Sequence, residues 1–300
     1  MKPTVAIITP STGRATLRRT IESVRAQTYP CTHYVFVDGE RFHESAQAIL
    51  QDYPEVQVCY LPMNTGGDER KLLNSAINAA APFLVKEDLL CYLDDDNWFA
   101  EHHVAGLVES LTNNEADYAY ALRYFVDEKG ETVAKDNLES LGFWAIPHVV
   151  YEVEFMDDTQ NLRRARLQGS PTAKAGLIDT NCYLLRTDLA RELSVVWLRD
   201  GLKNDRNITR YLLDSKRVGV CSGKRSVFYF WEPSKSWPLP QELREEHHIL
   251  TEAAYQSFVH GSMVAMNQEV QKLYADEQGL LPWEKERVVH KEQQDSTESN

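Results

Sequence analysis

What this 300-residue sequence lacks narrows its class before any motif is weighed. Cysteine is sparse: Cys31, Cys59, Cys91, Cys182 and Cys221 are odd in number and widely spaced, with no C-x-x-C pair. That excludes a disulfide framework and a Cys/His structural zinc, and reduced thiols point to a cytoplasmic chain. No uncharged apolar stretch approaches the roughly 20 residues that a membrane-spanning helix needs. The apolar run before Pro10 is too short for a signal peptide. Positive charge is in deficit: 32 Lys and Arg against 45 Asp and Glu give a net charge of −13. A chain that acidic repels phosphate backbones and argues against nucleic acid as a partner. It leaves room for one small phosphorylated ligand if a metal ion sits between carboxylates and phosphates. Familiar phosphate loops are also missing. No G-x-G-x-x-G follows the first apolar run, and Gly219 to Arg225 is one residue short of a P-loop. No G-x-S-x-G elbow offers an acyl-transfer serine, and the pairs His102-His103 and His247-His248 lack a third ligand at metal spacing.

What is present reads as a packed α/β chain, 43% hydrophobic and 26% charged. Apolar runs at Val5–Ile8, Tyr34–Val37, Val56–Leu61 and Leu89–Leu93 alternate with helical spacing at Leu17/Ile21/Val24, Ala46/Ile49/Leu50 and Leu72/Leu73/Ala76/Ile77/Ala80. That alternation predicts a parallel sheet with helical crossovers. Polar punctuation follows each run: Pro10-Ser11-Thr12-Gly13, Asp38-Gly39, Asn64-Thr65-Gly66-Gly67 and Asp94-Asp95-Asp96. These positions fall at carboxyl ends of strands, where open α/β sheets hold ligands. Further on, Val104–Leu111 predicts a helix, and Tyr118–Val126 with Glu131–Ala134 a hairpin. Short strands are expected around Val149–Phe155 and Leu177–Leu185, short helices at Leu189–Val196 and Ile208–Leu213, and a late strand at Val227–Trp231. A long helical segment, Gln241 to Ala275, follows Pro238 and Pro240, and a polar, disordered tail is expected from Glu284. The organisation reads as residues 1–112, 113–237, 238–283 and 284–300.

The sharpest local feature is Asp94-Asp95-Asp96. Three adjacent carboxylates at a strand end repel one another unless a cation neutralises them. Hard oxygen ligands of this kind suit Mg²⁺ or Mn²⁺, which bridge to substrate phosphates. The plain alternative is a solvated acidic turn.

Several stretches together resemble family 2 glycosyltransferases of the GT-A fold. Val5 to Arg14 is similar to that family's opening strand and loop, Glu22 to Pro30 to its S-V-x-x-Q-T-Y-P stretch, and Val37-Asp38-Gly39 to the end of its second strand. Asn64 through Arg70 and Asn74 resembles the N-x-G-x-x-x-A-R-N segment, with Glu69 where the family has alanine, and Leu93 to Asn97 resembles the D-x-D motif. The resemblance implies a mixed, mostly parallel central sheet flanked by helices. It also implies a nucleoside diphosphate sugar donor contacted by Thr9, Pro10, Arg14, Asp38, Arg70, Asp94 and Asp95. Asp38 would accept a base N–H, as in reading uracil, and Mn²⁺ or Mg²⁺ would rest on Asp94 and Asp96. An inverting transfer also needs a base for the attacking hydroxyl. Lys203 to Leu212 is similar to the family's segment bearing an E-D pair, with Asn204 in place of the glutamate, so Asp205 is the implied base and Asp179 the fallback. A helix N-cap is the bland role for Asp205.

The implied activity is hexosyl transfer to a glycan or other hydroxyl acceptor, as in polysaccharide biosynthesis. Trp144, Trp197, Trp231 and Trp237 are candidates for stacking on acceptor sugars. The terminal helix is expected either to cover the acceptor half or to join two copies in a homodimer. Two rivals stay open: a sugar-1-phosphate nucleotidyltransferase, and a non-catalytic nucleotide- or glycan-binding module.

Overall fold

The computed structural model describes residues 2–67, 72–146, 148–170, 176–199, 201–232 and 239–289. Four strands open the chain: β1 (Val5–Ser11), β2 (Thr32–Asp38), β3 (Gln57–Leu61) and β4 (Leu89–Tyr92). Between them lie α1 (Leu17–Arg25), α2 (His43–Leu50) and α3 (Ser75–Ala80). β1 pairs in parallel with both β2 and β4, and β2 in parallel with β3, as the alternating sequence periods predict. Every residue of β1 and β4 is buried, which is why those strands read as continuous apolar runs. On β2 the pleat divides the faces. Val35 and Val37 pack with Leu17, Ile21, Ala46 and Leu50 of α1 and α2, whereas Phe36 joins the larger core with Ile77 of α3. Burying Leu17 and Ile21 completely is worth roughly 2 kcal/mol each and fixes α1 on the sheet.

The sheet continues beyond β4 as a mixed one. The further strands are β5 (Trp98–Phe99), β6 (Tyr118–Val126), β7 (Thr132–Lys135), β10 (Tyr183–Arg186), β11 (Gly219–Phe230) and β12 (Arg287–Val289). Their order along the main sheet is β12-β11-β6-β10-β4-β1-β2-β3, with β5 on β11 and β7 on β6. β10 is antiparallel to both β4 and β6, so this short strand joins the first four strands to the second half. α4 (His103–Asn113), α5 (Thr187–Trp197) and α6 (Asn204–Asp214) cover the sheet. Apart from it stands a hairpin of β8 (Val149–Met156) and β9 (Leu162–Gly169), whose buried alternate residues Val149, Tyr151, Val153 and Phe155 lie in one cluster with Phe258, Val259 and Met263 of the terminal helix.

Four expectations need correction. The stretch Leu177–Leu185 is not one strand: Leu177 makes an isolated bridge to Gly142, Thr180–Cys182 is a 3₁₀ turn capped by Asp179, and pairing starts only at Tyr183. The late strand begins at Gly219 rather than Val227. Polar Ser222, Lys224 and Arg225 and register shifts between Cys221 and Val227 disguise its first half. The long helical segment is two helices, α7 (Gln241–Glu246) and α8 (Glu252–Tyr274), parted at His247–Thr251, where His248 has a left-handed backbone (φ 54°) and Thr251 caps the second helix. The polar tail starts later than Glu284. Trp283 is buried and Arg287–Val289 pairs with Gly219–Cys221 at the sheet edge. Among the described residues no helix is long and apolar enough to cross a membrane.

Candidate active site

The loops after β1, β2 and β4, the 3₁₀ turn before β10 and the first turn of α6 meet at one end of the sheet. Asp95 closes the first of them. Its Oδ2 accepts hydrogen bonds from the Ser11 hydroxyl at 2.8 Å and the Thr12 N–H at 3.0 Å, and Gly13 N–H donates to Ser11 Oγ at 2.9 Å. The buried Asp95 therefore ties the acidic triplet to the β1 loop and faces its own chain. Arg14 follows, with Nη1 2.5 Å from Asp96 Oδ2 and 3.7 Å from Asp95 Oδ1. Thr9 lies inside the sheet, its hydroxyl 2.9 Å from Nε2 of His33, whose pKa burial lowers to about 3. Pro10 is buried beside Phe36 in the β1–β2 register.

Asp38 ends β2 and is buried, accepting hydrogen bonds from the Thr65 N–H at 2.7 Å and Asn64 Nδ2 at 3.1 Å. A cleft of about 470 Å³ lined by Gly39, Arg41, Met63, Asn64 and Gly67 opens beside it. Arg70 lies outside the described residues.

Asp94 is held from two sides. Asn74 Nδ2 donates to Oδ1 at 2.6 Å, and Asn181 Nδ2 donates to Oδ2 at 2.9 Å. Burial, with the charge of Asp96 adding to it, pushes its pKa up to about 7. The Asp96 pKa is raised as well, first by burial and then by Asp95, against the pull of Arg14. Asp205 stands in the first turn of α6, where helix N–H groups favour a negative charge. It is not the N-cap; Lys203 takes that position and its side chain does not cap the helix. Thr180 donates its hydroxyl to Asp205 Oδ1, and among the described residues no donor reaches Oδ2. Burial and then the charge of Asp179 raise the Asp205 pKa to about 8.

Asp179 is engaged differently. Its Oδ2 meets Arg123 Nη1 at 2.5 Å, and its Oδ1 accepts from the Asn181 N–H at 2.9 Å and Nδ2 at 2.8 Å. Arg123, only 2% exposed, also pairs with Asp136 and Glu139, both at 2.7 Å, and lies 4.0 Å from the Tyr229 ring centroid. With both Asp179 oxygens taken, Asp205 is the one of the two candidate bases that keeps a free oxygen.

Carboxylates Asp94, Asp96, Asp179 and Asp205 thus share one region: Asp96 and Asp179 weaken the ionisation of Asp94, and Asp179 and Asp94 that of Asp205. Asp94 and Asp96 offer hard oxygen donors with surplus negative charge, which fits a Mg²⁺ or Mn²⁺ ion completed by substrate phosphates. It is no closed protein cage. Among the described residues no three His, Cys, Asp or Glu side chains form a metal-holding group.

Of the tryptophans, Trp197 and Trp231 are buried in the core, Trp144 is half-buried against Phe143, and Trp237 lies outside the described residues. Sequence reasoning missed Asn181, Thr180 and Arg123. A signal existed for the last: an arginine within the otherwise apolar run Tyr118–Val126 demands a buried acidic partner.

The sequence model described as Glycosyl transferase family 2 matches residues 6–175. Among solved structures, S. aureus TarS 1–349 is similar at 12% identity, covering 76% of this chain and 60% of that one, with a TM-score of 0.48. The same TarS segment in complex with UDP-GlcNAc gives 14% identity, 81% and 64% coverage, and a TM-score of 0.49. The chain therefore spans less than two thirds of these structures. No curated protein sequence matches it.

Proposed function

The chain belongs to glycosyl transferase family 2, and from that premise we propose that it moves a sugar from a nucleoside diphosphate donor to a hydroxyl acceptor. The observation that carries this reading is the meeting of the acidic triplet after β4 with Asp205 on α6, two carboxylate groups from opposite halves of the chain. The donor half is the cleft beside Asp38 together with the β1 loop. The Asp38 carboxylate accepts from Asn64 and Thr65 and keeps a second acceptor site on each oxygen for a base presenting an N–H, and a uracil nucleotide is the donor we favour. Arg14, exposed over more than half its side chain, is free to leave Asp96 for the diphosphate. Asp94 and Asp96 would hold Mg²⁺ or Mn²⁺, which when bound offsets the charge developing on the departing diphosphate.

Asp205 takes the proton from the acceptor hydroxyl. A carboxylate with a pKa pushed up to about 8 is a stronger base than an ordinary one once it is ionised, in the pH range around and above 8, and Thr180 fixes its direction. The family resemblance implies an inverting transfer, in which the acceptor oxygen, relieved of its proton by Asp205, attacks the anomeric carbon opposite the departing diphosphate. The test is turnover with a panel of nucleoside diphosphate sugars, with and without Mn²⁺, on hydroxyl acceptors and water. Cation-stimulated release of nucleoside diphosphate with inverted product supports the reading. Binding of nucleotide without release under any condition would replace it with a non-catalytic module, and pyrophosphate release from nucleoside triphosphates with a nucleotidyltransferase.

A further inference from the structure

Asn181 is fully buried, and no part of the proposed chemistry uses it directly. Its amide nonetheless makes both side-chain contacts between the donor-side carboxylate and the turn behind the base. Asn181 Oδ1 accepts the Asp94 backbone N–H at 2.7 Å, while Nδ2 donates to Asp94 Oδ2 at 2.9 Å and to Asp179 Oδ1 at 2.8 Å. The preceding residue, Thr180, directs Asp205. One 3₁₀ turn, Thr180–Cys182, therefore sets the position of both Asp94 and Asp205. A neutral amide is suited to this place. It gives N–H groups to two carboxylates without adding a third charge, and its carbonyl fixes the backbone where the acidic triplet begins.

We propose that Asn181 is the positioning residue of the transfer site, holding Asp94 in the orientation in which it meets the donor and keeping that carboxylate in register with the base. This rests on the transferase reading above, and it makes a claim about nucleotide binding that survives without turnover. Asn181→Asp keeps the acceptor for the Asp94 N–H and replaces both donated hydrogen bonds with repulsion. Asn181→Ala removes all three contacts.

The experiment is a double-mutant cycle of Asn181→Ala with Asp94→Ala, read by calorimetric binding of UDP with Mn²⁺ and by kcat and KM for the donor. Expected results are a tenfold or larger loss of nucleotide affinity in Asn181→Ala and a greater loss in Asn181→Asp. In the Asp94→Ala background Asn181→Ala should add little further loss, because Asn181 acts on the nucleotide through the orientation of the Asp94 carboxylate. Losses that simply add, or unchanged affinity in the folded variants, would overturn the proposal. A purely structural role would lower the melting temperature and leave the kcat and KM of the folded fraction alone. If the wild-type chain binds UDP yet transfers nothing, the transferase reading fails while the binding cycle still decides the role of Asn181. If the wild-type chain does not bind UDP with Mn²⁺, both fail.

Discussion

A base kept in a low-dielectric pocket beside other carboxylates should destabilise the fold, and the size of the penalty can be worked out for Asp205. Its pKa is raised from 3.8 to about 8, burial first and Asp179 next. At ~1.4 kcal/mol per pH unit, ionising it in place would cost up to about 6 kcal/mol. The residue is half-buried, and water screens part of that, so we take about 2 kcal/mol. Because the folded state holds this proton more tightly than the unfolded chain, stability is intact below pH ~4 and is lost progressively as pH rises towards 8. Asp205→Asn removes the titration and keeps an Oδ1 to accept the Thr180 hydroxyl. The variant should match the wild type near pH 4 and melt about 4 °C higher at pH 8.5, given roughly 2 °C per kcal/mol for a chain this size. Its transfer rate should fall by about 10²–10⁴-fold, the range for a lost general base. Scanning calorimetry across pH, paired with a nucleoside diphosphate release assay, reads both effects. A variant that melts lower at pH 8.5, or that transfers at the wild-type rate, would refute the reasoning.

Other perturbations probe other parts of the site. Asp96→Ala should abolish cation-stimulated donor turnover with the melting temperature unchanged or raised, since a carboxylate whose ionisation is disfavoured has been removed; assays with and without Mn²⁺ check this. Arg123→Met leaves Asp136 and Asp179 buried without their cation and should cost about 3–5 kcal/mol in urea unfolding. Gly13→Ala forces a Cβ to within 2.3 Å of Ser45 Oγ and 2.9 Å of the Ala46 nitrogen at a backbone φ of +70°. About 1–3 kcal/mol of lost stability and weaker nucleotide binding should follow, by calorimetry, because the strained loop carries Arg14. For the wild type, kcat/KM should rise with pH through about 8 as Asp205 of the free enzyme loses its proton.

β1 and β4 were legible because every residue in them is buried and they appear as unbroken apolar runs, whereas β3 was legible from its apolar Val58, Cys59 and Leu61 although it is partly exposed. β9 was invisible for the opposite reason. Arg163, Arg164 and Arg166 project to solvent from an edge strand, and Leu162 is itself 60% exposed, so no apolar run marks it. The break between α7 and α8 hides likewise, since His247 and His248 carry no glycine or proline signal for the left-handed turn that ends the first helix. The acidic triplet could be read because charged residues directly after a buried strand are costly without a task. Asn181 could not. An asparagine in sequence carries no mark of its partners, and Asp94 is 87 residues away. Arg70, drawn from the resemblance, falls outside the described residues, so its part in donor binding is left to experiment.

The central claim is that the carboxylates closing β4 bind a divalent cation that neutralises a departing diphosphate. A crystal grown with UDP and Mn²⁺, with the metal located by its anomalous signal, tests this most directly. The account predicts a manganese peak within ligand distance of Asp96, bridged to the diphosphate, with Arg14 turned from Asp96 to the phosphates. A bound diphosphate with no metal peak there, and Arg14 still on Asp96, would contradict it.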